Sequence, residues 1–163
     1  MRNLLIKYIL IFLGSILLVN ATGQNLHEPI IVKTINDETI KINGTKNLYV
    51  IYLWKIKVEK SINEIESLNQ LAKKYEAENI TFIAATSDNI DKLNEFLIET
   101  PFLYKQIAGK EGKKLNKEFG NNKIMRIFPR HYILDKSGNI IKSAIGSCPT
   151  IHEIIEETLS EMK

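Results

Sequence analysis

Residues 128–140 read FPRHYILDKSGNI, and this stretch decides the fold. Within it, Arg130–Asp135 is rich in the aromatic and β-branched residues that favour strands. Residues 136–139 have the composition of a tight turn, and a second apolar run, Ile140–Ile145, follows them. A strand, a turn and a strand in this order predict an antiparallel hairpin.

Further strands are predicted earlier in the chain. Leu48–Trp54 and Ile80–Ala85 are continuous apolar runs, which are typical of strands buried on both faces of a sheet. Residues 29–42 hold two short runs of Ile, Val and Thr and predict a leading hairpin, and Phe102–Ile107 predicts a short extended segment. A central sheet of four or five strands is therefore expected.

Helices are predicted where apolar residues recur at three- and four-residue spacing, at Ser61–Glu76, Asp88–Glu99, Lys110–Phe119 and Pro149–Met162. Ser61 and Glu64 form a Ser-x-x-Glu pattern, which predicts that Ser61 caps the first of these helices. Because the helices alternate with the strands, the sequence predicts an α/β domain with helices on both faces of the sheet.

These stretches resemble a thioredoxin-like domain, in the branch of exported TlpA/ResA-like thiol–disulfide oxidoreductases that is related to the AhpC/TSA redoxins. The resemblance spans about residues 28–163 and is carried by Leu48–Leu71, Ile80–Asp88, Phe128–Ile140 and the terminal helix. It implies a three-layer sandwich with a mixed central sheet and an N-terminal β-hairpin. It also implies that Pro129 follows a cis peptide bond and faces the active site.

The chain departs from this family where the chemistry would be. Family members read Phe-Trp-x-x-Trp-Cys-x-x-Cys, whereas residues 53–61 read LWKIKVEKS. Val58 and Ser61 therefore occupy the places of the two cysteines, and Lys57 occupies that of the second tryptophan. Thiol–disulfide exchange needs one thiolate to attack sulfur and a second thiol to resolve the mixed disulfide. A degenerate active site without catalytic residues is predicted.

Cys148 is the only thiol of the chain, which excludes an intramolecular disulfide and any cysteine-cluster metal site. It precedes Pro149 at the predicted start of the last helix, a position that favours thiolate formation. Two interpretations stay open, a reactive thiol that works with an external thiol and an incidental small residue at a turn. The histidines do not have metal-ligand spacing, and we predict no metal and no cofactor.

The resemblance also implies a groove that binds an extended peptide through main-chain hydrogen bonds, a mode that needs no sulfur. The residues that would form it are aromatic, cationic and apolar: Trp54, Lys55, Lys57, Val58, Phe128 and Pro129. The alternative is that Trp54 and Phe128 are core aromatics.

Three charged or titratable residues near Pro129 also have two interpretations each. Arg126 and Arg130 flank Phe128 and either make the groove basic or are solvated charges at the end of a strand. His131 either lines the groove or is a partly buried structural residue.

The first 23 residues predict a secretory signal peptide, with an uncleaved membrane anchor as the alternative. Arg2 and Lys7 precede Tyr8–Val19, a run of 12 mostly apolar residues. This run is shorter than the ~20 residues of a membrane helix, and small residues follow it before Gln24. We expect residues 1–23 to be a signal peptide and residues 24–163 to be the thioredoxin-like domain, located in the periplasm or cell envelope without membrane attachment.

Charge and length limit the function. The chain has 163 residues and a net charge of +3, which falls to +1 without Arg2 and Lys7. A nucleic-acid partner is therefore not predicted. The favoured interpretation is an exported, redox-inactive, chaperone-like module that binds a peptide or protein partner in the envelope. The alternative is a single-cysteine thiol oxidoreductase or peroxidase-like enzyme that uses Cys148.

Overall fold

The computed structural model describes residues 17–19, 28–43, 46–120, 127–147 and 150–162. Its strands are β1 (Leu17–Val19), β2 (Ile30–Lys33), β3 (Thr39–Ile42), β4 (Leu48–Leu53), β5 (Ile80–Ala85), β6 (Lys105–Ile107), β7 (Arg130–Leu134) and β8 (Ile140–Ile145). Its helices are α1 (Glu59–Ile62), α2 (Ile65–Lys74), α3 (Ile90–Glu99), α4 (Gly109–Phe119) and α5 (Ile151–Glu161). Within these ranges no helix is long and apolar enough to cross a membrane.

The central sheet is mixed, with the strand order β1-β8-β7-β4-β5-β6. Strand β4 runs parallel to β5 and antiparallel to β7. All six residues of β4 are buried, as the continuous apolar run predicts, because both faces of the sheet are covered. Among the described residues, strands β2 and β3 form a separate two-stranded sheet, which is the expected N-terminal hairpin. The predicted fold, a thioredoxin-like three-layer sandwich, is confirmed.

Two hydrophobic cores lie on the two faces of the sheet because side chains alternate along each strand. Helices α2, α3 and α5 cover one face, where Tyr52 and Trp54 point. The β2–β3 hairpin and α4 cover the other face, where Leu53 and Tyr132 point. Neighbouring residues at the end of β4 therefore belong to different cores.

The first predicted helix is in fact two helices, α1 and α2, with a break at Asn63–Glu64. Val58 is the N-cap residue of α1, and no side chain caps it. The prediction that Ser61 and Glu64 form a capping box was wrong. Ser61 lies inside α1 with its side chain buried, and the Glu64 carboxylate accepts a hydrogen bond from Tyr52 instead.

The predicted signal peptide falls mostly outside the described residues, which begin at Leu17. Leu17–Val19 forms β1, which pairs antiparallel with Ser143–Ile145 at the outer edge of the sheet. Cleavage before Gln24 would remove this strand and leave a sheet of five. The cleavage itself stays a prediction.

Candidate functional site

The candidate site lies at the C-terminal end of β4, where Leu53 pairs with Arg130 of β7. Because the two strands are antiparallel, the loop that leaves β4 and the segment that enters β7 meet at this edge. The peptide bond between Phe128 and Pro129 is cis, which confirms the predicted cis-proline. The Lys55 Nζ atom lies 5.8 Å from the centroid of the Phe128 ring and joins the two segments.

Val58 and Ser61, which the sequence resemblance aligns with the family's two cysteines, lie at the start of α1. The Ser61 N–H donates a hydrogen bond of 2.8 Å to the Val58 carbonyl, and Val58 is half-buried. The Ser61 side chain is fully buried, and its Oγ has no hydrogen-bond partner among the described residues. A hydroxyl without an adjacent base is a poor nucleophile. Neither side chain therefore offers a reactive group.

Asp88 fixes the loop between β4 and α1. Its carboxylate accepts hydrogen bonds from the Ile56 N–H at 2.9 Å, the Thr86 hydroxyl at 2.8 Å and the Lys55 ammonium at 3.2 Å. Lys55 also donates to the Ser87 hydroxyl. Burial opposes ionisation of Asp88, but the three hydrogen bonds and the Lys55 charge outweigh it and lower the pKa of Asp88. The carboxylate therefore stays ionised.

A buried polar cluster, formed by Tyr52, Glu64 and His131, lies beside α1. The Tyr52 hydroxyl donates to the Ser61 carbonyl at 2.8 Å and lies 3.2 Å from Glu64 Oε2. His131 Nε2 lies 3.0 Å from the same carboxylate oxygen. Burial raises the pKa of Tyr52 far above its ordinary value, and the Glu64 charge adds to this effect. Tyr52 therefore stays a neutral donor, and His131 is a buried structural residue.

The predicted groove aromatics differ in their placement. The Trp54 side chain is fully buried, and its ring contacts Phe96 and Phe102 at centroid distances of 5.4 and 5.8 Å. Of the two interpretations of Trp54, groove residue and core aromatic, this burial favours the second, because alternation along the chain turns Trp54 into the same core as Tyr52. Phe128, in contrast, is only half-buried at the edge of the opposite core.

The other predicted site residues lie in different environments. Lys57 is exposed, and Pro129 is buried. Arg126, Cys148 and His27 lie outside the described residues. In the part of the chain that the structure describes, no group of three or more potential metal ligands occurs.

Arg130 is a buried cation, which neither interpretation from the sequence anticipated. Its side chain is 1% exposed, and its Nη2 donates to Asn116 Oδ1 at 2.7 Å. The Nε and Nη1 atoms have no hydrogen-bond partner among the described residues. Burial lowers the pKa of Arg130, although the neighbouring Tyr132 phenol opposes this effect. A basic residue at a strand end could not be identified as buried from its position alone.

The mixed sheet, the helices on both faces and the cis-proline loop define a thioredoxin-like domain. The sequence pattern of the AhpC/TSA family matches residues 25–143, and the chain therefore belongs to this family. No curated protein sequence matches the chain significantly.

Solved structures share the fold at low sequence identity. StoA from Bacillus subtilis is 18% identical with a TM-score of 0.67, over 79% of this chain and 94% of StoA. The exposed lipoprotein thioredoxin of Streptococcus pneumoniae is 14% identical with a TM-score of 0.65, over 82% and 98% of the two chains. A thiol:disulfide interchange protein from Chlorobium tepidum is 15% identical with a TM-score of 0.65, over 80% and 92%.

Proposed function

We propose that this protein is an exported member of its family that binds an extended peptide or protein partner and carries out no dithiol chemistry. The observation that carries the proposal is the identity of the two residues that align with the family's cysteines. Val58 has an alkyl group and Ser61 has a buried, unactivated hydroxyl. Neither can form the mixed disulfide through which the family's redox cycle proceeds.

The surface around these positions supports a binding role. None of the main-chain hydrogen bonds formed within the described residues involves the N–H or C=O of Phe128. The carbonyl of Pro129, one residue later, accepts a hydrogen bond of 2.8 Å from the Gly146 N–H. Phe128 therefore leaves a main-chain donor and an acceptor for an added strand, the mode by which sheet edges bind peptides.

Side chains beside Phe128 supply apolar and cationic contact area. Ile127 is 49% exposed and Phe128 is half-buried, so apolar surface is open at this edge of the sheet. Lys57 is exposed on the facing loop, which Asp88 holds in place. A loop that is already held in place loses less conformational entropy when a peptide binds, and it therefore suits peptide recognition better than a mobile loop.

The binding half of the proposal is tested with fluorescent nonapeptides that are acetylated, amidated and free of acidic residues. We expect saturable binding by anisotropy, weakened about tenfold by Ile127→Asp with Phe128→Ala, since both remove contact area. Lys136→Asp is the matched control, because the turn that holds Lys136 lies at the opposite end of β7. Absence of saturable binding, or equal weakening by the control, would contradict this half.

The redox half is tested by insulin reduction and peroxide consumption with the purified mature chain. We expect no turnover, because a single thiol without a resolving partner cannot complete the cycle unaided. The alternative function, an enzyme that uses Cys148 with an external thiol, predicts turnover that Cys148→Ala abolishes. Alkylation of Cys148 followed against pH reports whether this thiol is reactive.

Export is the third part of the proposal and rests on the N-terminal sequence. It is supported by the exposed lipoprotein thioredoxin of Streptococcus pneumoniae, which shares the fold. Fusion of residues 1–30 to a reporter that is active only after export tests this part. Leu10→Arg places a charge inside the apolar run and should abolish export, whereas Glu28→Arg, which lies after the predicted cleavage site, should not. A reporter that stays inactive with the unchanged sequence would contradict export.

A further inference from the structure

Arg130 carries a charge that no acidic side chain balances within the described residues. Every ion pair of these residues joins other groups. The polar side chains next to Arg130 are both neutral: the Asn116 amide, which accepts a hydrogen bond from Nη2, and the Tyr132 phenol, which raises the pKa of Arg130. Arginine has five N–H donors and stays protonated in proteins. Among the described residues, two of its three nitrogens, Nε and Nη1, have no hydrogen-bond partner, although Arg130 is only 1% exposed.

A buried unpaired cation needs an explanation, because removal of its hydration shell is costly. The Phe128 ring lies 4.9 Å from the guanidinium carbon and offers one cation–π contact. This contact, the Asn116 hydrogen bond and the neutral Tyr132 phenol are together weaker than the interactions that a buried charge loses with water. The internal contacts of the described residues therefore do not account for Arg130.

The neighbouring cation differs from Arg130 in this respect. Lys55 lies over the same Phe128 ring, but its charge is balanced by Asp88 at 3.2 Å. Arg130 is thus the cation of the pair that lacks a counter-charge. A single uncompensated positive charge matches one carboxylate, whereas a dianionic phosphate would leave negative charge in excess.

We propose that Arg130 is an anion-recognition residue and binds a carboxylate group that enters beside the Phe128 ring. A carboxylate is thus the ligand class for the groove of the proposed function. When the carboxylate belongs to a peptide, the inference rests on that function. Because Arg130 is buried, entry of the carboxylate requires the half-buried Phe128 side chain to move aside, and the exposed Ile127 then contacts the apolar groups of the ligand. The vacant Nε–H and Nη1–H groups then donate to the carboxylate oxygens.

The test compares two acetylated peptide amides, Ala-Val-Asp-Val-Ala and Ala-Val-Asn-Val-Ala, on the full mature chain. We expect the Asp peptide to bind about tenfold to a hundredfold more tightly, as charge-assisted hydrogen bonds imply. Arg130→Met should remove this preference, whereas Lys136→Met, at the opposite end of β7, should retain it. Because Arg130→Met removes a buried unpaired charge, the variant should unfold at a urea concentration equal to or higher than that of the wild-type chain.

A second measurement uses the wild-type chain, so that a failure of Arg130→Met to fold does not leave the question open. Sodium acetate is titrated while the Nε–H resonance of Arg130 is followed by NMR, with sodium chloride as the control for ionic strength. If acetate causes a saturable shift but the Asp and Asn peptides bind equally, the result supports the site and identifies a free carboxylate as its ligand. If acetate causes no saturable shift and the two peptides bind equally, the inference is overturned. Binding of the nonapeptides that lack acidic residues would in that case leave the proposed function standing.

Discussion

His131 Nε2 lies 3.0 Å from Glu64 Oε2 in a buried ion pair or hydrogen bond that joins β7 to the break between α1 and α2. Glu64→Ala should lower the free energy of unfolding by about 1–3 kcal/mol, because it removes the carboxylate that His131 Nε2 contacts in the buried cluster, whereas Tyr52 keeps the Ser61 carbonyl as an acceptor. Glu64→Gln keeps an oxygen acceptor and should lower the free energy of unfolding by a smaller amount. Urea denaturation measures both.

The control for this pair is Glu66→Ala, an exposed position in the first turn of α2. We expect a change within about 0.5 kcal/mol for this surface substitution. An equal loss for Glu64→Ala and Glu66→Ala would show that the buried contact does not contribute to stability.

The alignment of the missing thiols predicts that Val58→Cys with Ser61→Cys forms an intramolecular disulfide in a Cys148→Ala background. The two residues are one helical turn apart, with the Ser61 N–H bonded to the Val58 carbonyl, so their side chains fall within bridging range. Mass spectrometry after alkylation measures the oxidised fraction. Val58→Cys with Asn63→Cys is the control, and oxidation of the control pair alone would mean that the alignment is wrong.

Stability should depend on acid pH through Asp88. Its pKa in the folded state lies below that in the unfolded state, so its contribution is complete above the unfolded value and is lost as the pH falls through the folded value. Asp88→Asn should therefore destabilise the chain more at about pH 7 than at about pH 3. Urea denaturation at both pH values measures the difference, and Glu95→Gln, an exposed position in α3, is the control. A pH-independent effect of Asp88→Asn would contradict this assignment.

Gly112 is predicted to be intolerant of any side chain. A Cβ atom at this position of α4 would lie 1.8 Å from the Thr86 carbonyl oxygen, which belongs to the backbone and cannot move away freely. Gly112→Ala should lower the free energy of unfolding by about 1–3 kcal/mol, although alanine favours helices. Thermal or urea unfolding checks this, with Lys113→Ala as the exposed control. A Gly112→Ala variant as stable as the parent would contradict the close packing.

The strands and the absence of a cysteine pair could be predicted from the sequence because they depend on local composition. The apolar runs of β4 and β5 and the hairpin of β7 and β8 have the predicted places. The absence of a cysteine pair is a property of the sequence itself and does not depend on any contact. The Pro129 cis bond followed from the resemblance of the residues around it.

Side-chain roles at the site depended on contacts between residues far apart in the chain. Glu64 looked like a helix-capping residue from its spacing to Ser61, yet its carboxylate meets His131, which is distant in sequence. Trp54 looked like a groove residue, yet the packing of α3 against the sheet buries it. Only the tertiary structure decides such cases, because burial and pairing follow from which elements meet.

The sequence by itself therefore determined the class of fold and the absence of a cysteine pair, since hydrophobic periodicity and residue identity are local. The tertiary structure alone decided that Arg130 is a buried cation without a counter-charge among the described residues. Its partner groups come from α4 and from the segment before β7, and their approach is set by the packing of the whole sheet. The free energy of a charge depends on the groups that pack around it in space and not on its neighbours in the chain.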